Sequence, residues 1–107
     1  MVIVYRVRDL AAGRVFFRDT LGLTEVYADE DMARYEQGAG EILVAEGEPE
    51  EGGVATIDVT DIKAEAERLK AAGVEVGVVL EVHGQIRLVD VFDPDGNRIQ
   101  LAQSLTP

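Results

Sequence analysis

Two stretches of this chain, VYRVRDLAAGRVFFRDTLGLTEV (residues 4–26) and ATIDVTDIKAEAERLKAAGVEVG (residues 55–77), follow one plan. Each opens as a strand, reaches an aspartate, runs through an amphipathic helix and stops at a glycine. The cores align as Val7-Arg8-Asp9-Leu10 and Val59-Thr60-Asp61-Ile62, and Gly22 falls one residue later than Gly73. Each feature has a local cause. Asp9 and Asp61 can accept from the free amides of a first helical turn, so both are N-caps. Gly22 and Gly73 stand where a left-handed residue closes a helix. Ile62, Ala66 and Leu69 recur at helical spacing, with Lys63, Glu65, Glu67 and Lys70 on the wet side. In the first helix Leu10, Phe16, Phe17 and Leu21 supply the apolar side. Gly13 weakens that helix by roughly 1 kcal/mol against Ala unless something packs closely on it.

Three strand-like pieces follow each helix: about Thr24–Ala28, Ala33–Gln37 and Glu41–Ala45, then about Val76–Val82, Gln85–Phe92 and Asn97–Gln103. The intervening turns are DEDM, GAG, HG and DPDG, and in the last of these Pro94 presets φ while Gly96 accepts a positive one. The chain therefore reads as α+β, a single domain over 1–107 made of two βαβββ modules. Module 1 covers about 1–46 and module 2 about 54–104, with the acidic segment EGEPEEGG (Glu46–Gly53) as linker. A module of about 50 residues buries too little apolar surface to stand alone. The halves must pack on each other or on a second chain.

Composition removes several kinds of function. With 21 acidic against 10 basic side chains and a net charge of -11, the chain is no nucleic-acid binder, and its field favours a cationic ligand or partner. No apolar run reaches membrane-spanning length and no signal-peptide layout opens the chain, which points to the cytoplasm. Cysteine is absent, no G-x-S-x-G or phosphate-binding loop occurs, and no zinc-type spacing exists. His83, the one histidine, falls in a turn, where it is an exposed loop residue or a ligand contact at a site's mouth; nothing beside it makes it an acid or base.

VRDL, FFRDTLGL, VTDI and VFDPDGNRIQL, in this order on a βαβββ repeat, resemble the vicinal oxygen chelate superfamily. That group holds glyoxalase I, extradiol dioxygenases, fosfomycin resistance enzymes and metal-free bleomycin resistance proteins. The resemblance implies curled mixed sheets around a cleft, in a homodimer. It also implies where metal ligands would stand: seven residues before the aspartate of each V-x-D-[LI], here Val2 and Val54, and four after the glycine of DPDG, here Gln100. The matching place in module 1 is Leu43 or Val44. One neutral amide among apolar side chains cannot hold a divalent ion tightly. The expectation is therefore no metal, no cofactor and no catalytic residue.

If Ile3, Tyr5 and Val7 pack under the helices, strand alternation turns Val2, Val4 and Arg6 to the cleft, and by the same count Val54, Thr56 and Asp58, with Arg98, Gln100 and Ala102. QIRLVDVFD is apolar on both faces, so Arg87 or Asp90 could join them. An ion pair of Asp58 with Arg6 or Arg98 is expected. Tyr27 and Tyr35 are the aromatics placed to stack on a ligand. The candidate ligand-binding set is Arg6, Tyr27, Tyr35, Thr56, Asp58, His83, Arg98 and Gln100. Three functions fit: a metal-free binder that sequesters a cationic or aromatic small molecule, a metal-dependent lyase, isomerase or dioxygenase, and a non-catalytic dimerisation module.

Overall fold

The computed structural model describes residues 1–38 and 40–106, so the Gly38–Gly40 turn falls partly outside the described residues, at Ala39. Strand β1 (Val2–Val7) leads into helix α1 (Leu10–Arg14), which continues as a π-helical segment (Val15–Thr20) before β2 (Glu25–Ala28), β3 (Met32–Gln37) and β4 (Gly40–Glu46). Module 2 runs β5 (Ala55–Asp58), α2 (Ile62–Ala71), β6 (Glu75–Val76), β7 (Leu80–Val82), β8 (Ile86–Phe92) and β9 (Arg98–Ser104). The strands form two mixed sheets, β1-β4-β3-β2 and β5-β9-β8-β6, with β7 also on β8. In each sheet the first strand runs parallel to the last, β1 with β4 and β5 with β9, and the remaining pairs are antiparallel.

Both helices start as their sequences require. The carboxylates of Asp9 and Asp61 accept from the amides of Ala12 and Ala64 at 3.3 and 3.1 Å. Gly22 and Gly73 hold φ of +80° and +85° past the helix ends, a region a side chain would strain. The one-residue offset between the repeats also has a place in the structure: the extra residue is absorbed in the π-helical segment, where Leu21 N–H donates to Phe16 O at 2.8 Å. Gly13 is explained as well, because a Cβ there would lie 2.9 Å from Val7 Cγ2 and 3.4 Å from Val44. Its cost in helix propensity offsets a steric clash with β1.

The expected strand Val76–Val82 is broken into two. Gly77 N–H donates to Asp90 O at 2.8 Å, and the ladder to β8 resumes only at Leu80 opposite Leu88. A Cβ on Gly77 would meet Asp90 O at 3.3 Å, so glycine lets the edge come close before it leaves the sheet.

One core runs under both sheets. Phe17 packs against Tyr5, Phe16 and Tyr35 with ring centroids 5.3–5.8 Å apart, and module 2 adds Ile62, Leu69, Val89, Val91, Ile99 and Leu101. The modules are latched by Tyr5, whose hydroxyl accepts from Ala55 N–H at 2.8 Å and donates to Arg98 O at 2.7 Å. Burial pushes this hydroxyl's pKa up, so it keeps the proton it donates. A second tie starts in the last turn. Asn97 donates from Nδ2 to Arg6 O at 2.8 Å, while Arg8 bonds Asp95 through both its N–H and its guanidinium at 3.1 Å. Strand β1 thus lies across the starting ends of β5 and β9.

Candidate functional site

The helices cover one face of each sheet and leave the other open. On β1 the open face carries Val2, Val4 and Arg6, while Tyr5 and Val7 are buried. On β4 the register sets Glu41 beside Val2, Leu43 beside Val4 and Ala45 beside Arg6. On the second sheet Thr56 pairs with Gln100 and Asp58 with Ala102, and across β9 Gln100 faces Asp90 and Ala102 faces Leu88. Alternation along β8 therefore selects Asp90 for the open face. Arg87 falls on the other side, bonded to Glu81 at 3.2 Å.

Gln100 lies at the centre of this second open face. Its Oε1 accepts from the Thr56 hydroxyl at 3.2 Å, which orients the amide. With Asp90 it sits in a pocket of about 270 Å³ whose other walls include Val78, Leu80, Leu88 and Phe92. A larger groove, about 550 Å³, opens where β1 meets module 2; Val4, Val54, Arg98, the Asp95–Asn97 turn and the acidic linker residues Glu50 and Glu51 line it.

The expected residues separate into groups. Thr56, Arg98 and Gln100 come together on the open face of the second sheet. Arg98 does not pair with Asp58, correcting that expectation: it reaches its diagonal cross-strand neighbour Asp90 at 3.4 Å. Arg6 does not reach Asp58 either; its stem runs past Gly47, where a Cβ would lie 3.1 Å from its Cδ. Tyr27 is half exposed on edge strand β2 and bonds Asp29 at 2.8 Å. Tyr35, one strand over, is wholly buried beside Phe17, away from the open face. Its hydroxyl donates to Glu25 at 3.0 Å, and Arg14 grips the same carboxylate at 2.8 and 2.9 Å, holding its pKa below the usual carboxylate range. Burial first, and then Glu25, pushes the Tyr35 hydroxyl up. His83 occupies the exposed tip between β7 and β8 with φ 52°.

The pocket walls Val78, Leu80, Leu88 and Phe92 were not among the expected residues. Leu88 and Phe92 were hidden by a strand apolar on both faces, although their two-residue spacing from Asp90 would have grouped them. Val78 and Leu80 belong to the broken edge strand, for which Gly77 was the available signal.

The structure also decides between Leu43 and Val44. Val44 is fully buried in the core, and Leu43 stands on the open face where Gln100 stands in the other module. The positions at which the resemblance places metal ligands are thus Val2, Leu43, Val54 and Gln100, one neutral donor among three hydrocarbon side chains. Among the described residues no group of three His, Cys, Asp or Glu side chains is placed to hold a metal ion. The side chains at these positions do not fit a divalent ion.

No helix of the described residues is long and apolar enough to cross a membrane. The fold is shared with solved structures. A bleomycin-binding protein from Streptomyces verticillus, complexed with copper(II)-bleomycin, is 26% identical with TM-score 0.72, over 94% of this chain and 92% of that one. A fosfomycin resistance protein from Listeria monocytogenes is 21% identical with TM-score 0.79, over 97% and 91%. An antibiotic-binding protein from Streptomyces sp. CB03234 is 19% identical with TM-score 0.80, over 96% and 93%. No curated protein matches the chain significantly. The family model described as Glyoxalase/Bleomycin resistance protein/Dioxygenase superfamily matches residues 2–101, nearly the whole chain, and the protein belongs to that superfamily.

Proposed function

We propose that this protein binds a small organic molecule without a metal ion and acts by holding it rather than transforming it, the ligand being cationic or aromatic. The observation that carries this reading is the set Val2, Leu43, Val54 and Gln100 at the family's metal-ligand positions. Around them the open faces offer hydrocarbon, one carboxamide and a few charges, which suits burial of a flat ligand. The net charge of -11 draws cations to the surface. Two of the similar structures belong to proteins named for binding bleomycin or an antibiotic, in line with sequestration. The test is a thermal-shift screen of tag-free protein against cationic antibiotics and small aromatics. A ligand present at 100 times its Kd adds about 2.7 kcal/mol, which raises the melting temperature by roughly 10 °C or more. A panel that leaves it unmoved at millimolar concentration sinks the reading.

The working form is proposed to be a homodimer. Val2 and Val4 are 52% and 48% exposed on the same face of β1, an apolar strip that a second copy would cover. Sedimentation at tens of micromolar is expected to give twice the chain mass; a monomer there removes the dimer.

A further inference from the structure

We infer that the pocket beside Gln100 takes an organic monocation of fragment size, an amine or quaternary ammonium carried on a flat apolar group, with Asp90 as its counter-ion. The inference rests on the small-molecule reading above and narrows it to one chemistry and one residue.

The pocket exists because the edge strand breaks. After Gly77 closes on Asp90 O, the chain leaves the sheet until Leu80, so Val78 and Leu80 stand as an outer wall, 80% and 58% exposed. Leu88 and Phe92 form the rest of the apolar lining. Among the described residues, Asp90 is the one ionisable group that lines it. A neutral apolar ligand would strip water from that carboxylate and return nothing, and an anion would meet it head on. A cation supplies a counter-charge to Asp90 inside the pocket, where apolar burial is also available, and the Phe92 ring adds a cation–π contribution if the charge lies over its face.

Asp90 is free to change partner. Its bond to Arg98 is a single contact at 3.4 Å, and the Arg98 and Asp90 side chains are 54% and 32% exposed. The first sheet provides the contrast: Arg34 grips Glu41 with two bonds of 2.7 and 2.8 Å, a closed pair with little left to offer. An exposed single-contact pair contributes little to stability, so a ligand cation can displace Arg98 at small cost. Gln100 then has a defined part. Its oxygen is engaged by Thr56, and its amide nitrogen has no hydrogen-bond partner among the described residues, which leaves a donor beside the carboxylate for an oxygen on the ligand. Size sets the limit. A volume of about 270 Å³ lies below the roughly 300–1,000 Å³ usual for drug-sized ligands, so this pocket encloses a fragment.

The test is an amide NMR titration of tag-free, isotope-labelled protein with three probes of similar shape: 2-phenylethylammonium, 2-phenylethanol and 3-phenylpropionate. The ammonium is expected to shift the amides of residues 77–80, 88–92 and 100, and to bind about tenfold (1.4 kcal/mol) more tightly than the alcohol. The carboxylate should leave these amides in place. In Asp90→Asn the preference for ammonium over alcohol should fall to within about twofold. In Arg98→Met, where the competing cation is gone, affinity for the ammonium should rise about threefold, a gain that a damaged fold cannot produce. Equal binding of ammonium and alcohol, shifts confined to other surfaces, or no ammonium binding overturns the assignment. If the wider thermal-shift panel still yields ligands, the small-molecule reading survives that failure; if it yields none, both fall.

Discussion

Asp93→Ala is expected to destabilise the protein by about 3 kcal/mol at neutral pH and to lower its melting temperature by roughly 15 °C. Asp93 is 5% exposed at the start of the last turn, and its carboxylate accepts three bonds: from Asp95 N–H at 2.9 Å, from Asn97 N–H at 2.8 Å and from Asn97 Nδ2 at 2.8 Å. Alanine leaves all three donors without this acceptor. The damage reaches further, because the Asn97 amide held by Asp93 also bonds Arg6 O across the module boundary, and Asp95 in the same turn holds Arg8. One opposing effect is real. Burial pushes the Asp93 carboxyl above its ordinary value of 3.8, so folding favours its protonated form. That penalty is absent below the unfolded pKa and complete above the raised folded one. At pH 7 the substitution therefore removes a desolvated charge along with three bonds, and the bonds dominate because orphaned buried donors cost about 1–3 kcal/mol each. Calorimetric unfolding of the two proteins decides it. A difference under about 3 °C would mean that the turn contributes little to joining the modules.

That turn was also where the sequence spoke most clearly. Pro94 and Gly96 fix a tight reversal, and a tight reversal fixes the register that sets Phe92 opposite Arg98 and Asp90 opposite Gln100. Gln100 could be placed on an open face for that reason. The helix ends were legible because caps are local: an aspartate three residues from the amide it accepts needs no knowledge of the rest of the chain. The π-helical segment was visible only as a misfit, Gly22 one residue late against Gly73, and a misfit does not say how the backbone absorbs it. Arg98 and Asp90 illustrate the other limit. Alternation gives the face of each residue but not which of two nearby carboxylates a long arginine reaches, since that follows from the diagonal offset between strands. Tyr27 and Tyr35 differ for a related reason. Tyr35 alternates with Arg34 and Glu36 and shares its side with Ala33, a period-two pattern that turns it inward, whereas a register shift between Glu25 and Tyr27 interrupts the pattern in β2.

Tag-free protein stripped with chelator is expected to bind no zinc, nickel, cobalt or manganese at a stoichiometric site tighter than about micromolar, roughly 8 kcal/mol. The expectation follows from donors. Tight divalent sites take three or four strong ligands, and the four strand positions concerned offer hydrocarbon at Val2, Leu43 and Val54 and a carboxamide at Gln100 whose oxygen already accepts from Thr56. Of the carboxylates on these faces, Glu41 is engaged by Arg34 and Asp90 by Arg98. An ion would have to draw either one away from its guanidinium, and the Glu41 pair, with two short bonds, resists that the more strongly. Calorimetric titration separates the outcomes by orders of magnitude. Flat heats leave the open faces to organic ligands alone. Stoichiometric binding would mean that donors from another strand, or from a second copy of the chain, complete a site around Gln100, and the holding function proposed here would give way to ion-assisted chemistry on a substrate with paired oxygens.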